Sequence, residues 1–388
     1  MRASNARPDG ARAPLYCAAM PKGSRWKWGL IAVLLAAGAV MALRFALPKT
    51  ADLAEPERDA PGKPLPPLAA AGFGRAAAPE SLSGHVVVVA FLSLDLPLSL
   101  RAASTLAAWH DAYSRYGVRV LGVHEPAFAF AADSSGSARA VKRLGLRFPV
   151  ALDASLETAR AFGGVSEPPR IVVADTQGRI AWDHEGISAM PEGESVIREL
   201  VLKSHPGLRF PAGSPETAEG AEHTAHATVH LGRARVERGP LAEVPAGSPA
   251  NFTAQLKYQV EGQPYTPYPV GRWTPAADGL VAARGGAQNF VALRYDAGAL
   301  SAVMGPPEGS PARVWILRDD KWLTPQEAGA DVQIDGRGAS YVMVNEPRLY
   351  ALTRMDRGNH VVKLSPDETG TTIYAFTFEP FEAPLLRP

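Results

Sequence analysis

The chain has 388 residues, enough for two ordinary domains and a tail, and its 40 basic and 39 acidic residues leave a net charge of +1. That balance carries no electrostatic footprint for nucleic acid. A single cysteine, Cys17, excludes an intramolecular disulfide and a thiolate metal cluster, while 35 prolines point to linkers and β-rich structure.

Residues 1–27 form a basic tail, with Arg2, Arg7, Arg12, Lys22, Arg25 and Lys27 against Asp9. From Trp28 to Leu43 no residue is charged. As a helix that run spans about 24 Å, and extension to Leu47 reaches about 30 Å, the thickness of a hydrocarbon core. Arg44 can snorkel to the far interface. Residues 28–47 therefore read as a transmembrane anchor, with membrane lipid as a partner. The positive-inside bias puts the tail in the cytoplasm and the rest of this single-pass inner-membrane protein in the periplasm. A cleaved signal peptide is the rival, because Ala42, Ala46 and Ala54 supply small residues, but the apolar run is long for one. Met20 offers a second start, one that would omit Cys17.

Residues 48–79, with Pro56, Pro61, Pro64, Pro66, Pro67 and Pro79, read as a semi-extended linker. Residues 80–206 follow an α/β pattern. Val86 to Phe91 is a buried strand without period-2 alternation, and Leu100, Leu106, Trp109, Tyr113 and Tyr116 recur at near-helical spacing. Val118 to Val123 is a second buried strand and Ala138 to Leu144 a helix. Phe148 to Leu152 reads as a short strand and Ser155 to Phe162 as a helix. Arg170 to Ala174, the turn Asp175-Thr176-Gln177-Gly178 and Arg179 to Asp183 predict a hairpin, closed by a helix over Glu192 to Lys203. Residues 207–227 are a polar linker. Residues 228–388 show short apolar runs, such as Phe290 to Tyr295, Arg313 to Leu317, Ser340 to Val344 and Ile373 to Phe378, broken by turn residues. That spacing predicts an all-β sandwich, jelly-roll-like, after the mixed α/β domain.

The stretch "VVVVAFLSLDLPLSLRAASTLAAWHDAYSRYGVRVLGVHEPAFAF" resembles the thioredoxin-like (redoxin) module of DipZ-type cytochrome c biogenesis proteins. The resemblance makes Phe91 the strand end, Trp109 the helix aromatic and Gly122-Val123-His124-Glu125-Pro126 the later motif. The two positions of the family's redox CxxC then fall on Leu96 and Ser99. "EPPRIVVADTQGRIAWDHEG" is similar to the family's cis-proline strand and hairpin, which gives Pro169 the cis-proline role. "NEPRLYAL" and "VVKLSPDETGTTIYAFTFEP" resemble the trailing β-domain, itself similar to carbohydrate-binding modules. The likeness runs over about residues 80 to 380.

The chain departs from the family in its chemistry. Thiol–disulfide exchange at a helix N-terminus needs one thiol to attack and one to resolve the mixed disulfide. Leu96 has no lone pair, and Ser99 cannot form a disulfide. A peroxiredoxin reading fails for want of a thiol, and Cys17 lies across the apolar segment. Pro97 suits the first helical position, where its missing N–H is unsatisfied anyway. The helix start survives without its reactive atoms, so no catalytic residue and no cofactor is assigned.

Other chemistry is thinly marked. His85, His110, His124, His184 and His205 are scattered, and no G-x-S-x-G, H-E-x-x-H or P-loop occurs. His223, His226 and His230 have metal-ligand spacing but enter a strand from a linker, so solvated or structural roles are the better reading. Asp319-Asp320 and Asp331 to Asp335 read as solvated turns, and Asn251-Phe252-Thr253 is a sequon. Tyr258, Tyr265, Tyr268 and Trp273 cluster in "KYQVEGQPYTPYPVGRW", where aromatics either pack loops or stack on sugar rings. Trp315 and Trp322 read as core or edge.

These readings converge on a membrane-anchored thioredoxin-fold protein that serves as a binding or scaffolding module in the cell envelope. Leu96, Pro97 and Pro169 would form its peptide or partner surface, and Tyr265, Tyr268 and Trp273 a sugar surface. Two alternatives remain. One is an accessory of thiol–disulfide exchange or cytochrome c maturation that uses a periplasmic partner's cysteines. The other is a glycan-binding protein with the thioredoxin domain as spacer.

Overall fold

The computed structural model describes residues 61–68, 82–164, 168–210, 228–236, 239–253, 263–354 and 358–379. The basic tail, the apolar run 28–47, Tyr258, His223 and His226 lie outside them. Among the described residues no helix is long and apolar enough to cross a membrane.

The first domain grows from an apolar run. Strand β1 (Val86–Leu92) is buried at every position, the setting that β-branched valines favour. It pairs in parallel with β2 (Val118–His124), Val86 opposite Val118 and Phe91 opposite Val123. The short edge strand β3 (Val150–Leu152) follows β2, also in parallel. On the other side of β1, β4 (Arg170–Ala174) runs antiparallel and turns into β5 (Ile180–Glu185). The sheet order is β3-β2-β1-β4-β5. Helices α1 (Pro97–Tyr113), α2 (Ser134–Arg143), α3 (Glu157–Ala161) and α4 (Met190–Ser204) complete the unit. Leu106, Trp109 and Tyr113 of α1 pack with Ile197 and Val201 of α4 over one face of the sheet. Ala159 and Phe162 cover the other, where Phe162 meets Phe91 edge-on at 5.0 Å.

Local chemistry explains the boundaries. In the β4–β5 turn the Asp175 carboxylate accepts from the N–H groups of Gln177 and Arg179, both at 2.9 Å, and Gly178 takes φ 73°. Helix α2 starts four residues before the apolar pattern suggests, because Asp133 caps it by accepting from Gly136 N–H at 2.6 Å.

The proline-rich linker differs from expectation at residues 61–68. Gly62 N–H bonds to Ile180 O at 2.7 Å, Ile180 N–H to Lys63 O at 2.8 Å and Leu65 N–H to Gly178 O at 2.8 Å. Leu65 and Leu68 pack on the Phe91–Phe162 face. This strap lies along the edge strand, where free N–H and C=O groups otherwise invite pairing. At the other end, Phe210 sits edge-on to Tyr113 and Tyr116 at 5.5 and 5.6 Å, so the start of the second expected linker also packs on the fold.

The second domain is antiparallel. Its strands are β6 (Val229–His230), β7 (Ala250–Phe252), β8 (Pro267–Pro275), β9 (Leu280–Ala282), β10 (Phe290–Asp296) and β11 (Ala299–Gly305). Then come β12 (Ala312–Arg318), β13 (Lys321–Trp322), β14 (Val332–Ile334) and β15 (Ser340–Val344). The last are β16 (Arg348–Thr353), β17 (Asn359–Pro366) and β18 (Thr372–Glu379). The path runs β14-β15-β12-β17-β10-β8-β9-β18-β11-β16. Strand β8 belongs to both layers: Pro267 to Val270 pair with β10, and Gly271 to Pro275 pair with β7 and β9. Gly271 stands at the change of layer with φ 94°, and a Cβ there would lie 2.3 Å from Asn289 Oδ1. Trp273, Tyr295, Tyr350 and Phe376 fill the core between the layers.

Candidate functional site

Strand β1 delivers the chain to a tight turn, Ser93-Leu94-Asp95-Leu96, that opens α1. Leu96 is the extended N-cap, with no side-chain cap bond, and Pro97 begins the helix. Ser99 is fully buried, and its Oγ accepts from Ser93 N–H at 2.9 Å. The Ser99 hydroxyl thus closes the turn onto the helix.

Beneath the turn lie groups with chemistry but without access. His124, at the end of β2, has no exposed surface, and its Nδ1 lies 3.3 Å from Leu94 N and 3.2 Å from Leu92 O. In either tautomer the ring ties the turn to the strand end. Burial lowers its pKa and keeps it neutral. Asp95 is 3% exposed; burial pushes its carboxyl up to about 7, Asp278 adds to the rise and Arg143 opposes it. Glu125 is also raised to about 7, first by burial and then by Asp153. Asp153 spends its carboxylate on the first N–H groups of α3, those of Glu157, Thr158 and Ala159. Asp95 and His124 line a cavity of about 10 Å³, which they share with Arg143 and Glu346. It is the size of one water and admits no substrate.

Pro169 occupies the expected place. The Pro168–Pro169 peptide is cis, Pro169 is buried, and its carbonyl accepts from Gly186 N–H at 2.7 Å. The pairing of Phe91 with Arg170 sets it beside the end of β1. Arg170 is clamped two-pronged to Asp183, at 2.9 and 2.6 Å, and also donates to the carbonyls of Phe162 and Gly164.

The apolar position faces the second domain. Leu96 and Leu100 pack with Phe128 and Phe130 against Val303, Leu349, Tyr374 and Ala375. Phe128 and Phe130 stack at 5.6 Å with rings 5° apart, and Phe130 lies 4.9 Å from Tyr374. Ala129 N–H donates to Asp278 at 2.6 Å, and Arg143 pairs with Glu346 at 3.0 Å. The "PAFAF" stretch is therefore a docking segment between the domains, a role that sequence reasoning missed; its two phenylalanines at i and i+2 were the available signal.

The sequence-based sugar surface does not assemble. Trp273 is fully buried, with its indole N–H held by Val270 O at 2.9 Å, so it offers no face to a ligand. Tyr265, at φ 59°, packs nearly perpendicular to Phe378 and donates to Asp296 O at 2.7 Å. Tyr268 is half-buried and accepts from Gln263 N–H. Of the two aromatics read as core or edge, Trp322 lies on β13, which pairs with β12 off the main path of the sheet, is exposed and meets Trp315 at 5.8 Å. His230, on β6, tilts against Phe128 at 5.8 Å, and no metal-binding group of residues occurs among those described.

Two parallel βαβ strands, an antiparallel hairpin entered through a cis-proline and a closing helix define the first domain as thioredoxin-like. Residues 230–378 match the family model described as thioredoxin like C-terminal domain. Over 309 residues the chain is 24% identical to Protein DipZ of Mycobacterium bovis and of Mycobacterium tuberculosis. Those alignments take in 77% of this chain and 39% of theirs, so the chain spans about two fifths of the length of these relatives. Among solved structures, a thiol:disulfide interchange protein of the thioredoxin family from Chlorobium tepidum is 19% identical. It covers 37% of this chain and 99% of that one, with a TM-score of 0.30. A thiol-disulfide isomerase from Corynebacterium glutamicum is 23% identical, over 31% of this chain and 84% of that one, with a TM-score of 0.26.

Proposed function

We propose that this is a membrane-anchored, extracytoplasmic protein whose thioredoxin-like domain performs no dithiol chemistry and serves as a binding or scaffolding module of the cell envelope. One observation carries the reading. The helix start that would present a thiol holds Leu96 and Ser99, with the first packed toward the second domain and the second bonded inside the turn. Neither atom set can form or break an S–S bond. The test is reduction of insulin disulfides by the full chain with dithiothreitol as electron source. The rate should equal that of the reductant alone, and any protein-dependent rate refutes the reading. For the anchor, alkaline phosphatase fused after Pro48 should be active; an inactive fusion beside an active cytoplasmic reporter reverses the orientation.

The likeness to DipZ favours a second reading, an accessory of thiol–disulfide exchange or cytochrome c maturation that works on a partner's cysteines. Under it, a partner's mixed disulfide would form faster in the presence of the protein although no thiol of this chain is consumed.

A further inference from the structure

The apolar contact between the domains is crossed by charge. Its polar bonds include Ala129 N–H to Asp278, in the turn between β8 and β9, and Arg143 of α2 to Glu346, in the turn between β15 and β16. Asp95 stands between these two ties. It lines one small cavity with Arg143, Glu346 and Pro347, and its carboxyl feels the charges of both Arg143 and Asp278.

Asp95 is buried, and among the described residues no donor reaches its Oδ2. Once ionised, a carboxylate in such a place needs a cation. The charged and titratable groups that face it are Arg139 and Arg143 on α2, His124 at the end of β2, and Glu346 and Asp278 of the second domain. Burial keeps His124 neutral, and Arg139 donates to Ser135 Oγ at 3.0 Å. Arg143 is the cation best placed to answer, but it is engaged across the contact with Glu346. Glu346 has a second guanidinium at hand, Arg348 Nε at 3.8 Å, so it is not stranded when Arg143 turns away.

We propose that Asp95 is a proton-operated catch on the interdomain contact. While neutral it leaves Arg143 to Glu346 and the domains closed. Once ionised it draws Arg143 back into the first domain and repels Asp278, and the contact opens. Burial, with Asp278 adding and Arg143 opposing, raises the carboxyl to about 7 in the closed state; clear of the second domain it returns toward 3.8. Protonation therefore favours closure, fully below about pH 4, and the preference is lost as pH rises through about 7. His230, lowered to about 4 chiefly by burial, acts in the opposite sense below about pH 6.5, and Tyr374, raised by burial, stays protonated throughout. The catch goes beyond the binding-module reading: it sets when Leu96, Leu100 and Phe128 beside the start of α1 are uncovered.

Hydrogen exchange of the full chain, read by mass spectrometry and corrected for the intrinsic effect of pH, tests the catch at the Ala129 amide. That N–H bonds to Asp278 across the contact, so it exchanges only when the bond breaks. Its protection should fall about twentyfold from pH 6.5 to pH 8.5. It should also be weaker than that of the β1 amides and, unlike theirs, barely respond to dilute urea, because opening exposes far less surface than unfolding. Asp95→Asn should abolish the pH effect. Should that variant fail to fold, Asp278→Asn, which keeps an acceptor for Ala129 N–H, should lessen it. Protection indifferent to pH overturns the proposal, as does a fall that persists undiminished in the folded variant. Equal protection at Ala129 and in β1 overturns it too, since the contact would then open only by unfolding. The insulin assay reads thiol chemistry, so the redox-inert reading stands or falls separately.

Discussion

At the start of α1 and on the outer face of β12 the chain uses similar groups in opposite ways. In the first region the ionisable side chains, Asp95 and His124, point into the protein, and the leucines point toward a neighbouring domain. In the second the valine and isoleucine point inward, and indole and guanidinium point to solvent. The first region retains the architecture of a reactive site while its access is closed. The second has no inherited reactive architecture but has access. Access, more than the presence of polar groups, separates a contact that holds a protein together from one that can bind something else.

The interdomain face should therefore be costly to disturb and the outer face cheap. Phe128→Ala removes a ring that is 2% exposed and should cost about 3 kcal/mol, read as a lowered urea midpoint and as separate unfolding of the two domains. Trp322→Ala should stay within about 0.5 kcal/mol of the parent. Comparable losses from the two would erase the contrast.

A second effect is pH-dependent. Asp95 has a carboxyl raised from 3.8 to about 7, so the native state holds its proton more tightly than the unfolded chain does. Protonation thus favours the fold. That contribution is complete below about pH 4 and is lost as pH rises through about 7, where a carboxylate beside Asp278 must be buried with Arg143 as its opposing charge. The urea midpoint should fall between pH 5 and pH 8, and Asp95→Asn should flatten the fall. Glu125 shifts in the same direction and adds to any residual slope, while His124 and His230, both lowered by burial, oppose it below about pH 6.5.

Ser99→Ala should cost about 1–2 kcal/mol, because it strands the buried Ser93 N–H. The pair Leu96→Cys with Ser99→Cys sharpens the question of access: the new dithiol should react with a small aromatic disulfide yet reduce insulin poorly, since the second domain packs over the N-cap. Efficient insulin reduction would show that this face opens readily. The smallest effect belongs to Arg143 and Glu346, whose side chains are 30% and 31% exposed; a double-mutant cycle should return less than about 1 kcal/mol.

What was legible follows from how local each cause is. The runs Val86 to Phe91 and Arg170 to Ala174 are strands because continuous apolar residues have no other place to go, and the Asp175 turn declares itself by its own side chain. The role of Pro169 came from resemblance, and the geometry agrees. Trp273 and Trp315 could not be separated by neighbours alone, since each occurs in a strand with aromatic company. The alternation of Arg313, Trp315 and Leu317 against Val314 and Ile316 was the usable clue. The packing of Leu96 against Val303 and Ala375 joins residues about two hundred or more positions apart, and no local pattern encodes it.

The strap at residues 61–68 has a mechanical consequence. A tether drawn from the N-terminal side pulls first on the bonds of Gly62, Lys63 and Leu65 to the β5 edge, together with the Arg179 guanidinium that holds Gly62 O at 2.9 Å. Load is shared among these bonds before it reaches β1, where Ser93 and the α1 turn begin. A pull from the N-terminal side would thus meet the sheet along an edge and not at a single point, and would peel the strap before it could tilt the helix start or part the two domains.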